Sequence, residues 1–206
     1  MVKRREGLVA PNNPILYQVA EMVPVGTIQS ANVQKIIGNL LHIAYGEKGD
    51  PSKPVLMGLA APQAGISKRI IVVDTTADGY GHGSNLEVFI NPRIVKHSKK
   101  TNEWYEGCYS TDRVCGIVNR FISIGVSAYT KEGKRIQREY EGYVARIFQH
   151  EIDHLNGIEF ISHITDDAKL HWVEDDEFPL YRDKEAWRTW PRKCSRKQWE
   201  KIKGII

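Results

Sequence analysis

Cysteine is scarce in this chain, long apolar runs are missing, and no single charge sign dominates. Each shortage excludes something. Three cysteines, Cys108, Cys115 and Cys194, are too few and too odd in number to form a disulfide framework. A reducing compartment such as the cytoplasm is therefore expected. The longest aliphatic run is Ile70-Ile71-Val72-Val73, far short of the roughly 20 residues a membrane-spanning helix needs, so no membrane partner is expected. A basic start, Lys3-Arg4-Arg5, leads into Gly7-Leu8-Val9-Ala10-Pro11, where proline interrupts before a secretory apolar core can form. A 41% hydrophobic and 26% charged composition is that of a folded globular protein, not a disordered one. At about 150 residues per domain, 206 residues make one domain with an appendage.

The net charge of +4 is modest, but it is unevenly placed. From Arg182 onward nine basic residues face three acidic ones, a net +6 that leaves the first 181 residues slightly acidic. Four of the five tryptophans, Trp172, Trp187, Trp190 and Trp199, also lie late in the chain. Aromatic and basic residues interleaved in this way can grip RNA by stacking and phosphate contact. The competing reading is that the tryptophans pack onto the core while the charges face water.

Val33, Ile36, Ile37, Leu40, Leu41 and Ala44 follow helical spacing, with Ser30 or Asn32 as N-cap and a breaker cluster from Gly46 to Pro54. Arg69 to Asp74 reads as a buried strand. Ala77 to Asn85 reads as a glycine-rich loop, and Glu87–Asn91 and Arg93–Lys96 as two short strands flanking Pro92. Phe121 to Tyr129 alternates, and Lys131-Glu132-Gly133-Lys134 turns it back along Arg135 to Tyr140 as a hairpin. A second helix starts near Gly142, buries Val144, Ile147, Phe148, Ile152 and Leu155, and ends at Asn156-Gly157. Helix, several strands, then helix predicts an α+β fold.

That second helix carries His150-Glu151-Ile152-Asp153-His154. Four residues advance a helix by about 400°, so the two imidazoles lie one turn apart on one face. Both can reach one divalent metal, with Glu151 beside them as a base. Asp153 faces away and serves to solvate the helix or support a neighbour. A catalytic site needs a third protein ligand and an open position. Phe160 occupies the place where an extended zincin has its third histidine. Two candidates stay open: Glu174, within the acidic run Glu174–Glu177, and the thiolate of Cys108.

Three segments, Gly58-Leu59-Ala60-Ala61-Pro62-Gln63, Glu106-Gly107-Cys108-Tyr109-Ser110 and Gln149-His150-Glu151-Ile152-Asp153-His154, together resemble the peptide deformylase family in order and separation. Pro14-Ile15-Leu16 and Asn91-Pro92 extend the likeness from about residue 8 to about residue 165. The resemblance implies a catalytic domain over residues 1–165; the basic, Trp-rich extension over 166–206 departs from the family pattern. It implies antiparallel or mixed sheets packed around a central metal-binding helix, with an N-terminal helix. It implies one divalent ion held by Cys108, His150 and His154, ferrous in the cell and zinc in much purified material. Glu151 becomes the general base and acid. The Gln63 side chain and the Tyr109 backbone N–H become oxyanion donors. Gly58, Gly107 and Tyr109 line the path of the substrate. The implied reaction hydrolyses the formyl group from the N-terminal formylmethionine of nascent polypeptides and releases formate.

Two residues depart from the family pattern. Leu56 stands where the first motif normally has glycine, and Tyr109 where leucine normally follows the cysteine. Both bear on how a substrate main chain docks. Two other functions compete: a gluzincin-like protease using Glu174, and an inactive relative that binds ribosome or RNA through residues 182–206.

Overall fold

The computed structural model describes residues 6–46, 56–80, 82–83 and 85–205. Lys3-Arg4-Arg5, most of the Gly46–Pro54 breaker and Gly81 lie outside the described residues.

Helix α1 (Ala31–Tyr45) starts at Ser30, whose hydroxyl accepts the Val33 N–H, and stops at Gly46 with a φ of 65°. Its buried stripe is Val33, Ile37, Leu40, Ile43 and Ala44. Five antiparallel strands make the larger sheet, in the order β1 (Gly58–Ala60), β2 (Ile70–Asp74), β3 (Leu86–His97), β6 (Ser123–Tyr129) and β7 (Arg135–Glu141). Every residue of β2 is buried. The period of two explains this, because a helix covers each face. Ile70 and Val72 pack with the α1 stripe. Ile71 and Val73 pack with Ala145, Phe148, Ile152 and Leu155 of helix α2 (Gly142–Leu155) on the other side.

The two strands expected around Pro92 are one. β3 runs through the proline because the ladder slips there, from Ile90 opposite Tyr129 to Arg93 opposite Ser127. Three steps on one strand match two on the other, a bulge that places Pro92 where no ladder donor is needed. Asn91 takes a φ of 52° at this point, and its side chain bonds the N–H and C=O of Val23 instead.

The β6–β7 hairpin turns where expected and runs directly into α2. At the far end of α2, Asn156 is the C-cap and Gly157 has a φ of 71°. A Cβ at Gly157 would lie 2.6 Å from the Tyr17 carbonyl oxygen, so only glycine lets the N-terminal segment pass this closely.

A smaller antiparallel sheet, β4 (Thr101–Gly107), β5 (Val114–Phe121) and β8 (Leu170–Trp172), closes the other side of α2. The late segment packs onto it through short helices α3 (Phe178–Asp183) and α4 (Arg196–Ile202). Trp187, Trp190 and Trp199 are buried, the first two with Tyr105, Cys115 and Tyr181, the third with Val114, Phe160 and Cys194. This settles the two readings of the tryptophans in favour of packing: three of the four late rings are no stacking platforms for RNA. Cys115 and Cys194 are buried free thiols. Among the described residues no helix is long and apolar enough to cross a membrane.

Candidate metal centre

Residues from three places in the chain converge beside α2. His150 and His154 sit one turn apart with ring centroids 4.9 Å from each other. Cys108 follows β4 and starts the 3-10 turn Tyr109–Thr111. Its Sγ lies 3.3 Å from His154 Nε2, and single ligand atoms of Cys108, His150 and His154 all fall within 4.8 Å of one another. A tetrahedral zinc with bonds of about 2.0–2.3 Å holds its donors roughly 3.3–3.8 Å apart, so the three need little adjustment to bind one ion. Among the described residues no other Cys, His, Asp or Glu group is arranged this way.

Glu106, buried at 5% exposure, fixes one of the histidines. Its Oε2 faces His150 Nδ1 at 2.9 Å, which leaves Nε2 for the centre. The carboxylate also accepts from Arg120 Nε at 2.9 Å, Arg120 Nη2 at 3.0 Å and Arg146 Nη1 at 2.8 Å. Burial works against its charge, but the Arg120 guanidinium and the His150 ring keep Glu106 ionised, well below the carboxylate range. Arg120 extends the network to Asp153 at 2.6 Å, and His163 joins Asp153 at 2.8 Å. Asp153 thus supports neighbours, one of the two roles expected for it. Burial works against charge on His150, yet Cys108 and Glu106 hold it protonated well above the ordinary imidazole value. Burial, helped by that charge, takes His154 down to about 3.

Glu151 lies on the same helix, and burial pushes its carboxyl up to about 7; His150 opposes that, while Glu106 and Asp153 add to it. Its Oε2 is buried with no hydrogen-bond partner. A Cβ on Gly58 would come 2.3 Å from Glu151 Oε1 and 2.8 Å from Ile147 Cγ2. Glycine is therefore demanded here by the carboxylate. At Gly107 a Cβ would meet Cys115 Sγ at 2.8 Å, so that glycine too is set by an internal neighbour.

Gln63 is aimed. Its Oε1 accepts the Ala60 N–H at 2.8 Å, which turns Nε2 toward Cys108 Sγ at 3.1 Å and Ser110 Oγ at 3.2 Å. Turn-capping and site-facing roles thus belong to opposite ends of one amide. The Tyr109 side chain is 47% exposed, and Leu56 is buried on the α1 side.

Glu174 is not part of this constellation. It pairs with Arg113 and accepts from Trp172 Nε1 at 2.8 Å, and its backbone N–H bonds Glu177. The protease arrangement that would need its carboxylate is corrected accordingly.

The family model described as polypeptide deformylase matches residues 6–170. The chain belongs to that family. Deformylase relatives cover most of it. Peptide deformylase 1A, chloroplastic/mitochondrial, of Arabidopsis thaliana is 35% identical over 185 residues, 84% of this chain and 66% of that one. Peptide deformylase 2 of Bacillus cereus is 36% identical over 184 residues, 85% and 97% of the two chains. This chain thus spans just under two thirds of the Arabidopsis relative and nearly all of the Bacillus one. Among solved deformylases, the Met-Ala-Ser-bound crystal structure of the class I type b enzyme from Acinetobacter baumannii superposes with a TM-score of 0.67 at 31% identity, covering 76% of this chain and 96% of that one. The Thermotoga maritima enzyme gives 0.66 at 31% identity, with 77% and 97% covered.

Glu106 and its two arginines were not singled out from sequence. The available signal was proximity: Glu106 lies near the end of β4, two residues before Cys108, and the two side chains reach His150 and His154 of α2.

Proposed function

We propose that this chain is a metal-dependent peptide deformylase that hydrolyses the formyl group from formylmethionyl peptides and releases formate. The observation that carries the reading is the convergence of Cys108, His150 and His154 beside a buried Glu151 and an aimed Gln63 amide. When bound by Cys108 Sγ and the two imidazoles, a divalent ion supplies Lewis acidity and a more acidic water. Ferrous iron in the cell, with zinc accepted, suits a thiolate and two imidazoles.

The remaining work falls to the chain. Glu151 takes a proton from the attacking water and returns it to the amine as the carbon–nitrogen bond breaks, which a carboxyl titrating near 7 is suited to do. Gln63 Nε2 and the Tyr109 backbone N–H donate to the oxygen of the former formyl carbonyl. Glu106 keeps the Nδ1 proton of His150, so that the proton the ring gives up on binding an ion is the one at Nε2. The main chain at Gly58, Gly107 and Tyr109 pairs with an extended peptide beginning with methionine, the kind of occupant seen in the Acinetobacter relative.

We place this activity in the cytoplasm, where three unpaired cysteines stay reduced. Residues 1–165 form the catalytic part. Residues 182–206 contact the ribosome by charge alone, through exposed Lys184, Lys197 and Lys201. Changing these three lysines to glutamine is expected to reduce salt-sensitive co-sedimentation with ribosomes; unchanged sedimentation removes that part.

The test of the main reading is formate release from formyl-Met-Ala-Ser by anaerobically prepared, iron- or zinc-loaded protein. Release that disappears in Cys108→Ala and Glu151→Gln is expected. No formate from any formylmethionyl peptide overturns it.

A further inference from the structure

The segment following residue 170, where the family match ends, reaches back to the turn Glu159–Ile164 that leaves the metal helix. Arg196, the first residue of α4, donates from Nη1 to the Ile161 carbonyl at 3.3 Å and from Nη2 to the Ile164 carbonyl. Its other guanidinium contacts are to Asp167, Nε at 3.3 Å and Nη2 at 3.2 Å. At the other end of α4, buried Lys203 holds Glu159 Oε1 at 2.8 Å and the Pro11 carbonyl, with its ammonium over the rings of Tyr17 and Trp199. Between these two anchors lies Phe160, 1% exposed and stacked on the His150 ring with centroids 5.8 Å apart. Phe160, Ile161 and Ile164 form one apolar cluster with Leu170, Cys194 and Trp199, and Cys108 packs against its edge.

Two of the three donor residues therefore rest on a floor that α4 pins in place. Glu106 fixes the tautomer of His150 from one side, but a hydrogen bond to a single ring nitrogen leaves the tilt of the ring free. A flat aromatic neighbour is what restricts that tilt.

We propose that Arg196 and Lys203 are positioning residues of the metal centre, holding Phe160 against His150 through the turn they clamp. This rests on the metal reading above but not on the hydrolytic one. The test uses Co2+ as probe on the full chain. Affinity is measured by chelator competition, and ligand geometry by the visible absorption of the bound ion.

Arg196→Gln and Lys203→Met are each expected to weaken Co2+ binding roughly tenfold, the usual effect of losing support behind a ligand, and to shift the absorption bands. Arg188→Gln, an exposed cation outside the clamp, leaves both unchanged. Affinity within twofold and identical bands in Arg196→Gln, with Cys108→Ala having lost Co2+, overturns the proposal. If Arg196→Gln does not fold, Phe160→Leu reads the same contact with the clamp intact, and unaltered bands there overturn it equally. A chain that binds Co2+ with these differences yet releases no formate would sink the deformylase reading and leave this one standing. Retention of Co2+ by Cys108→Ala would sink the metal site and this inference with it.

Discussion

Replacing Glu106 by glutamine changes no volume but reverses one end of a side chain, and the structure says which end matters. Oε1 accepts from Arg120 Nε and Arg146 Nη1, while Oε2 accepts from Arg120 Nη2 and faces His150 Nδ1. A glutamine keeps its oxygen at the first position, where two donors arrive. Its NH2 then confronts a guanidinium N–H and must donate to His150 Nδ1, which forces the ring proton onto Nε2, the nitrogen that faces the centre. Metal affinity is expected to fall about 10- to 100-fold, or roughly 1.4–2.8 kcal/mol.

Stability should fall as well. Four charge-assisted contacts at about 1.5–3 kcal/mol each outweigh the several kcal/mol needed to bury the carboxylate. Removing the charge leaves Arg120 with Asp153 and Arg146 with only the oxygens of Val118 and Asn102, so a loss of about 3–5 kcal/mol follows in metal-free urea unfolding. The affinity is read by zinc competition and the tautomer by nitrogen chemical shifts of His150. If Glu106→Gln binds zinc within twofold of the parent with His150 still protonated at Nδ1, the positioning argument is refuted.

Glu151→Gln should retain its metal while formate release drops about 10²- to 10⁴-fold; an unchanged rate removes Glu151 as the proton carrier. Gly58→Ala drives a methyl into the space of Glu151 Oε1, so the turnover number should fall more than ten-fold, with KM moved little. His171 supplies a pH test. It is fully buried between the Tyr181 hydroxyl and Lys193, and burial, then the Lys193 charge, takes its pKa down to about 4 from 6.5. Below pH 6.5 the unfolded chain binds the extra proton and the folded one does not until about pH 4, so stability is full above 6.5 and drains as the pH falls through that window. Between pH 7 and pH 5 the loss should be about 2 kcal/mol at about 1.4 kcal/mol per pKa unit, read from urea unfolding. His171→Gln should show a correspondingly flatter dependence, and an equal slope in both proteins would contradict the assignment.

Helical periodicity was enough to place α1 and α2, and β-branching enough to place β2, because each buries a face whose period is printed in the residues. Pro92 misled for a local reason: a bulge lets a strand carry proline, and the extra residue that makes it is invisible until the partner strand is known. The histidine pair was legible from a single helix turn. Cys108 and Gln63 were not, since nothing local ties them to that helix; family likeness pointed to them and the fold brought them together. The late tryptophans show the limit most clearly. Alternating rings and charges describe an RNA grip and a packed shell equally well, and only the burial of the rings against the smaller sheet decides between them.

The three unpaired thiols differ in one respect that bears on the working life of the protein. Cys115 and Cys194 are sealed in, and burial raises both their pKa values, Cys194 to about 11, so they stay un-ionised and slow to react. Cys108 alone is partly open to solvent. Peroxide should therefore leave its mark at a single sulfur, as sulfenic and then sulfinic acid found by mass spectrometry at Cys108, with metal released in step and the other two sulfurs intact. The same side chain that makes the centre possible gives it a finite lifetime in air.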